Sequence, residues 1–242
     1  MRYVDGFVLP VPKKNLLAYR AETGDPVWMA PAGQSSYSSP QLATLAGRRQ
    51  CLILSDHGLT SVDPATGAVL WKGGTSWPGA PRTVQPCAVG ATQLVVGTFE
   101  GTGVSLLDVT RDGEAWKVDL RWTSKDLKPE FPDFVVHEGH AYGFDVGIFC
   151  CIDLETGKRC WKEGRYGRGQ VVLLAEQSLL LVISESGTAI LLEANAERHR
   201  ELGRFQAVKG KTWNHPVVAH GRLYVRNAEE IACYELAPSS GP

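Results

Sequence analysis

The sequence predicts an all-β fold, a β-propeller of four-stranded antiparallel blades, and three observations lead to this prediction. A phrase of the form small-x-Asp-x-x-Thr-Gly-x-x-x-Trp recurs about every 44 residues. Trp28, Trp71, Trp116 and Trp161 are 43, 45 and 45 residues apart, and Phe205 follows 44 residues later. Short apolar runs with turn residues between them fill the intervals, and no 10-residue stretch has helical periodicity. Strand repeats of about this length are typical of propellers.

The first 14 residues do not follow the repeat. They contain Pro10, Pro12, Lys13 and Lys14, which are residues that prevent further pairing at a sheet edge. We therefore expect either an edge strand added to the first repeat or a leader unrelated to the repeats. The resulting division is an N-terminal extension at 1–14, repeats at 15–237 and a tail at 238–242.

The repeated phrase is clearest at residues 61–71 and 151–161, and a looser copy ends at Trp28. Its acidic residue, Asp63 or Asp153, is expected to accept hydrogen bonds from the amides of a turn, and its glycine supplies the positive φ of that turn. The tryptophan then begins the return strand and packs on the neighbouring blade, beside a small residue ten positions earlier. The predicted docking residues are Trp28, Trp71, Trp116, Trp161, Phe205, Gly24, Gly67 and Gly157.

Four complete units are predicted, at 38–73, 82–120, 131–164 and 170–207, with partial units at about 15–31 and 213–236. The partial units either complete one another in a small five-bladed ring or end an open arc cut from a larger propeller. We favour the arc, because the last phrase lacks its Thr-Gly-Trp half while the first has its own hairpin strand. Uncovered end blades would cause self-association.

The phrases at 63–71 and 153–161 resemble the tryptophan-docking motif of the PQQ-like β-propeller repeat family, over roughly residues 15–237. This bacterial family includes BamB-like assembly proteins and quinoprotein alcohol dehydrogenases. The resemblance implies the fold rather than an activity, because the motif holds blades together in members with and without enzyme function. Family propellers usually have about seven or eight blades, so this chain resembles a truncated set.

The resemblance leaves three functions open. A non-catalytic protein-interaction scaffold of the BamB-like type needs only repeats and exposed loops, and we favour it, with a protein partner and no cofactor. A PQQ-dependent and Ca²⁺-dependent dehydrogenase would need a stacking tryptophan, Glu, Asn and Asp ligands and a catalytic Asp in the channel, and no residues match those motifs. A truncated chain without its own function is the third. We therefore expect no enzyme activity and assign no catalytic, cofactor-binding or metal-binding residue.

Two of the six cysteines, Cys150 and Cys151, are adjacent. The family resemblance implies one possible role for them, because quinoprotein alcohol dehydrogenases have a disulfide between two adjacent cysteines. Here the pair lies in a predicted strand, where successive side chains point to opposite faces. Cys151 also occupies the small position of the repeat, which Ser61 fills elsewhere. No cysteine pair has metal-ligand spacing. The cysteines are thus expected to be structural.

Composition excludes other classes of protein. The 242 residues are 43% hydrophobic and 21% charged, and the net charge of −1 offers no case for nucleic-acid binding. No apolar stretch reaches the 18 residues of a membrane span, and no signal peptide is recognised. Relatives are periplasmic or exported, so the compartment is left open.

Candidate binding residues lie in the long connections between repeats. Trp213, Asn214 and His215 precede a predicted first strand, where propeller loops usually meet ligands. Asp133 and Trp77 belong to connections rich in aromatic residues and proline, which present contact surface without much loss of entropy. The alternative for all five residues is ordinary packing between blades.

Overall fold

In the computed structural model, the described part of the chain forms twenty-two strands in six antiparallel sheets. The structure describes residues 6–10, 14–20, 23, 25–33, 36–73, 83–97 and 101–236. Within these residues four sheets have four strands, two have three, and the one helical element is a 3₁₀ turn at Ala175–Gln177. The prediction of an all-β chain with four complete and two partial units is confirmed. The chain divides into two compact units, Met1–Lys128 and Pro129–Pro242.

The first unit contains one three-stranded and two four-stranded sheets, each with its strands in chain order. The first sheet comprises β1 (Gly6–Pro10), β2 (Lys14–Arg20) and β3 (Pro26–Gly33). The second comprises β4 (Gln41–Leu45), β5 (Arg48–Ser55), β6 (Gly58–Val62) and β7 (Val69–Gly73). The third comprises β8 (Cys87–Val89), β9 (Gln93–Gly97), β10 (Val104–Asp112) and β11 (Ala115–Ser124).

The second unit contains two four-stranded sheets and a three-stranded one. The fourth sheet comprises β12 (Val135–His137), β13 (His140–Asp145), β14 (Ile148–Asp153) and β15 (Arg159–Arg165). The fifth comprises β16 (Gln170–Leu174), β17 (Leu179–Ile183), β18 (Thr188–Glu193) and β19 (Glu201–Gln206). The sixth comprises β20 (Val217–Ala219), β21 (Arg222–Arg226) and β22 (Ile231–Glu235).

Part of the N-terminal extension is paired. Strand β1 runs antiparallel to β2, with Gly6 opposite Arg20 and Pro10 opposite Leu16. Residues 6–10 therefore form the edge strand of the first sheet. The remainder of the extension lies outside the described residues, apart from Lys14 at the start of β2.

The turns of the repeated phrase are closed by their acidic residue. Asp63 Oδ1 accepts hydrogen bonds from the amides of Ala65 (2.9 Å) and Thr66 (3.1 Å). Asp153 Oδ1 accepts from the Thr156 amide at 2.7 Å and the Thr156 hydroxyl at 2.6 Å. These bonds, the one from the Thr156 side chain above all, hold the pKa of Asp153 below its usual value. The predicted turn chemistry is confirmed.

A β-bulge recurs at one place in the sheets that carry the phrase. Trp28 stands opposite Ala18, Trp71 opposite Ser61 and Trp161 opposite Cys151, and in each case one extra residue follows in the register. A bulge turns the strand and re-aims its side chains. Each of the three tryptophans is buried as a result, with at most 9% of its surface exposed.

The register differs from the predicted spacing at Trp116 and Phe205. In the third sheet Trp122, not Trp116, stands opposite Leu106 at the bulge, because β10 and β11 extend to nine and ten residues and move the hairpin turn away. In the fifth sheet Gly203 stands opposite Leu191, and Phe205 lies two residues further on, opposite Ala189.

Both displaced aromatic residues nevertheless touch a neighbouring sheet. The Trp116 ring lies 6.4 Å from that of Trp71 in the preceding sheet. The Phe205 ring, 43% exposed, packs edge-on against Tyr234 in the next sheet at 4.8 Å. Trp116 and Phe205 thus contact a neighbouring sheet from a register position that differs from that of Trp28, Trp71 and Trp161.

The buried tryptophans join consecutive sheets within each unit. The Trp28 indole donates a hydrogen bond to Pro64 O (2.9 Å), and the Trp161 indole donates one to Asn195 O (2.8 Å), each in a turn of the following sheet. Trp71 packs on Leu94 and Leu107 of the next sheet, while its indole N–H bonds to Gln50 of its own sheet at 2.7 Å. The cores of the units thus lie between the sheets.

All six cysteines are present as thiols. Cys150 and Cys151 are completely buried in β14, and burial raises the pKa of the Cys151 thiol far above its usual value. A buried thiol of this kind behaves as a small apolar side chain.

Candidate functional site

The connections of the second unit lie at one end of its strands. Strand direction alternates within a sheet, so the turn between the second and third strands is at the same end as the connection to the next sheet. We call this end of the second unit the connection face. It carries the turns at 146–147, 184–187 and 227–230 and the connections at 129–134, 166–169 and 207–216.

Main-chain hydrogen bonds fix the connections to the turns. The amides of Tyr166 and Gly167 donate to Gly147 O at 3.1 and 3.0 Å, which ties the first connection to the turn of its own sheet. The Glu185 amide then donates to Tyr166 O at 2.8 Å, and the Thr212 amide donates to Glu185 O at 2.8 Å. The turn at 184–187 is therefore held between two connections by its backbone.

A chain of polar side chains crosses the connection face. The Arg168 guanidinium binds both oxygens of the buried Glu130 carboxylate, with 3.1 Å from Nη2 to Oε1. The Arg168 amide donates to Glu185 Oε2 at 3.2 Å, and the Trp213 indole N–H donates to Glu185 Oε1 at 2.9 Å. Glu130, Arg168 and Trp213 come from three different connections, and Glu185 comes from the turn at 184–187. The hydrogen bonds between them fix the orientation of each side chain.

Glu185 is held as a carboxylate. The hydrogen bond from the Arg168 amide and then that from the Trp213 indole lower its pKa, and these effects outweigh partial burial. Both donors favour the charged form of the acid. The Trp213 orientation consequently depends on a group that stays ionised below the usual glutamate pKa of about 4.3.

Trp213 is exposed yet fixed. Its side chain is 52% accessible, although its indole N–H is bonded to Glu185. The Lys211 ammonium lies 4.7 Å from its ring centroid, and Gln170 Nε2 donates to its carbonyl oxygen at 3.0 Å. A large aromatic surface with few accessible rotamers is the kind of side chain that contributes most at protein interfaces.

A cavity of about 500 Å³ opens beside this tryptophan. Its walls include Arg165, Ser184, Glu185, Arg204 and Lys211. A second cavity of about 300 Å³ shares Arg165, Gly167 and Glu185 with it and continues to Val146 and Arg168. Together we call these two cavities the groove of the connection face.

The structure separates the predicted binding residues. Trp213 belongs to the polar chain, while Asn214 is half-buried and His215 is exposed, with its Nδ1 2.9 Å from Pro216 O. Asp133 is half-buried in the connection that precedes β12. Trp77, like Gly24 among the docking residues, lies outside the described residues.

Sequence reasoning missed Glu185, Arg168 and Arg165. They lie in a turn, in a connection and at a strand end, outside the repeated phrase, where residue identity changes from one repeat to the next. One weak signal was available. The turn position of Glu185 carries Asp56 in the second sheet but Val146 in the fourth, so the turn itself does not require an acidic residue there. A carboxylate at this position could therefore have been considered as a site residue.

Two further classes of site are absent from the described residues. No group of three or more His, Cys, Asp or Glu side chains in that part of the chain is arranged to hold a metal ion. Nor does a helix there have the length and apolar character needed to cross a membrane.

Comparison with known proteins identifies the family. A family model described as outer membrane protein assembly factor BamB matches residues 3–163, which is more than half of the chain. The chain belongs to the BamB family. The curated proteins contain no match to it.

Solved structures show the same fold. BamB from Moraxella catarrhalis superposes with a TM-score of 0.70 at 16% identity, over 95% of this chain and 69% of that one. U3-55K gives a TM-score of 0.65 at 12% identity, over 96% of this chain and 77% of that one. The computationally designed Ika8 protein gives 0.57 at 11% identity, over 97% and 82%. At these identities the likeness concerns the fold alone, and it confirms that the sheets are β-propeller blades.

Membership of the BamB family leaves the site to be argued from this chain. The family match ends at residue 163, so it includes Glu130 but stops before Arg168, Glu185 and Trp213. The family model therefore says nothing about these three residues or about most of the residues that line the groove.

Proposed function

We propose that this BamB-family chain is a non-catalytic protein-interaction scaffold whose contact surface is the connection face of the second unit. The observation that carries the proposal is the Trp213 side chain, which is 52% exposed and held in place by Glu185. An immobilised aromatic side chain loses little conformational entropy when a partner covers it. A solvent-exposed tryptophan held by a half-buried carboxylate therefore suits a binding hot spot.

Other exposed apolar side chains accompany Trp213 on this face. Phe131, 52% exposed, is adjacent to the buried Glu130 that holds Arg168. Val146, 46% exposed, lines the smaller cavity next to Arg168 and Glu185. Apolar anchors surrounded by charged groups have the composition of a protein interface, with a hydrophobic centre and a polar rim.

The name of the matched family, outer membrane protein assembly factor, suggests the kind of partner. We take it that the chain contacts a component of an outer-membrane assembly machinery and acts in the periplasm. Scaffolds of this type need no catalytic group and no cofactor, which agrees with the expectation from the sequence motifs.

Site-specific photo-crosslinking tests the contact surface. A photoreactive phenylalanine analogue replaces Phe131 or Trp213, and the matched control carries it at Leu202, which is 45% exposed on the outer strand of the fifth sheet. We expect the same one or few envelope proteins to be captured at 131 and 213 and not at 202. Equal capture at all three positions, or capture at 202 alone, would place the interface elsewhere.

The dehydrogenase alternative is tested by ligand-induced stabilisation. Purified protein is melted with and without pyrroloquinoline quinone and Ca²⁺, and its mass is followed by light scattering. A scaffold should melt at the same temperature in every sample. A rise that requires both additions would indicate a cofactor site, because a ligand that binds only the folded state stabilises it.

A further inference from the structure

We propose that the groove of the connection face binds an acidic peptide segment, with a Glu or Asp side chain of the partner held between Arg165 and Lys211. This inference rests on the proposed scaffold function and specifies the chemistry of its partner. It is carried by the charges of the larger cavity, which has Arg165, Arg204 and Lys211 against one carboxylate, Glu185.

Two of the three cations are available for a ligand. Arg204 is engaged by Glu201, whose carboxylate accepts from Nε and Nη2. Among the described residues, neither Arg165 nor Lys211 has a carboxylate within ion-pair distance. Both are exposed at the wall of the cavity. Lys211 is close enough to Glu185 to help lower the pKa of that carboxyl, but neither cation forms a direct ion pair in the described part of the chain.

The one carboxylate of the cavity does not neutralise these cations directly. Glu185 uses Oε1 to accept from the Trp213 indole and Oε2 to accept from the Arg168 amide. Its orientation is fixed by these two donors. A second carboxylate that enters the cavity would meet Arg165 and Lys211 with their donors free, and hydrogen bonds between charged groups are the stronger ones.

The shape and the charge favour a peptide over a small anion. The two cavities share Arg165, Gly167 and Glu185 in their walls, and their volumes of about 500 and 300 Å³ exceed what a single inorganic ion requires. The ionised Glu185 also repels a doubly charged phosphate more strongly than a singly charged carboxylate. The exposed Trp213 ring, whose indole N–H is bonded to the lining residue Glu185, offers an apolar surface for a residue next to the acidic one.

Peptide titrations followed on the indole N–H signals of ¹⁵N-labelled protein test this proposal. The probes are an acetylated pentapeptide of sequence Glu-Glu-Phe-Glu-Glu, the same peptide with Lys in place of Glu, and inorganic phosphate. We expect the Trp213 signal to shift with the acidic peptide only. A response to the lysine peptide of equal affinity, or saturation by phosphate alone, would overturn the proposal.

Charge-removing variants locate the subsite. Arg165→Gln and Lys211→Gln should each weaken acidic-peptide binding about fivefold or more, and Lys211→Arg should restore it. The matched control is Arg198→Gln, which removes an exposed cation from the turn between β18 and β19, at the opposite end of the strands. Equal losses in the control, or none in the groove variants, would contradict the assignment.

The two proposals can fail separately. Capture of a partner at residues 131 and 213 without any acidic-peptide binding would retain the scaffold and reject the acidic ligand. Acidic-peptide binding at Arg165 and Lys211 without capture at 131 or 213 would retain the subsite and reject the wider contact surface.

Discussion

The Trp161 indole is the clearest example of how one side chain joins two sheets. It is 7% exposed, packs on Leu180 and Ile190 of the next sheet and donates its N–H to Asn195 O. The small Cys151 opposite leaves space for the ring. One residue thus supplies both apolar contact and a directional hydrogen bond.

Truncation of Trp161 should be strongly destabilising. We expect Trp161→Ala to lower the free energy of unfolding by about 3 to 5 kcal/mol, as for other buried aromatic truncations. Chemical denaturation measures the change. Trp213→Ala is the control, since that ring is half-exposed and its loss should have a small effect. A denaturation midpoint that Trp161→Ala leaves unchanged would contradict the docking role.

Two glycines with almost the same backbone separate steric contact from backbone strain. Gly67 and Gly47 have φ of 72° and 73°, but a methyl group at Gly67 would lie 2.6 Å from Trp28 Cε3, while nothing lies within 4 Å at Gly47. Gly47→Ala should cost about 1 kcal/mol for the left-handed conformation. Gly67→Ala should cost about 1 to 3 kcal/mol more than Gly47→Ala, because its methyl group would also press on the Trp28 ring. Equal losses of stability in urea would show that Trp28 does not press on the turn.

At the scale of elements, the connection face depends on the contact between a turn and a connection. The turn at 184–187 orients Trp213 through Glu185, whose pKa is lowered by the donors around it. A carboxylate with a depressed pKa contributes stability above its unfolded pKa, and that contribution is lost as the pH falls through the folded pKa.

The Trp213 indole signal should therefore titrate at acidic pH. We expect the Trp213 N–H chemical shift to stay constant from neutral pH down to the usual glutamate pKa of about 4.3. It should change only at lower pH, where Glu185 becomes protonated. The Trp71 N–H is the internal control, because its partner, the Gln50 side-chain oxygen, does not titrate. A Trp213 transition above the usual range, or one that survives Glu185→Gln, would disprove the contact.

The blades could be predicted from sequence because their determinants are local. Asp153 and Thr156 are three residues apart, so the turn is legible in the chain. Trp116 was misplaced because counting residues does not reveal a longer hairpin, and Trp122 reaches the bulge instead. The polar chain could not be predicted, since Arg168 contacts residues 17 and 38 positions away in connections without a common pattern.

At the scale of the whole molecule, the last sheet exposes a surface that other sheets bury. Val217, Tyr224 and Cys233 stand opposite one another and share a face with Ile231, which is 73% exposed. In the fourth sheet the corresponding Tyr142, Phe149 and Cys151 are at most 1% exposed beneath the next sheet. An exposed face of this kind favours association.

We expect concentration-dependent self-association through this face. Sedimentation analysis should show oligomers that Ile231→Lys reduces, because Ile231 is a highly exposed apolar side chain of this face and a lysine ammonium in its place is costly to desolvate. Leu120→Lys is the control, with a residue 55% exposed on the outer strand of the third sheet. A monomer at every concentration, or equal effects of the two variants, would refute this expectation.

The backbone bonds that hold the turn at 184–187 have a consequence for variation. The walls of the groove are fixed through Tyr166 O, the Glu185 amide and the Thr212 amide, none of which depends on side-chain identity. Residues 165, 186 and 211 can then change without disturbing the main chain that carries them. A library randomised at these three positions should yield folded proteins with new peptide preferences. The connection face is thus suited to protein engineering, because backbone hydrogen bonds hold its fold while side chains determine what it binds.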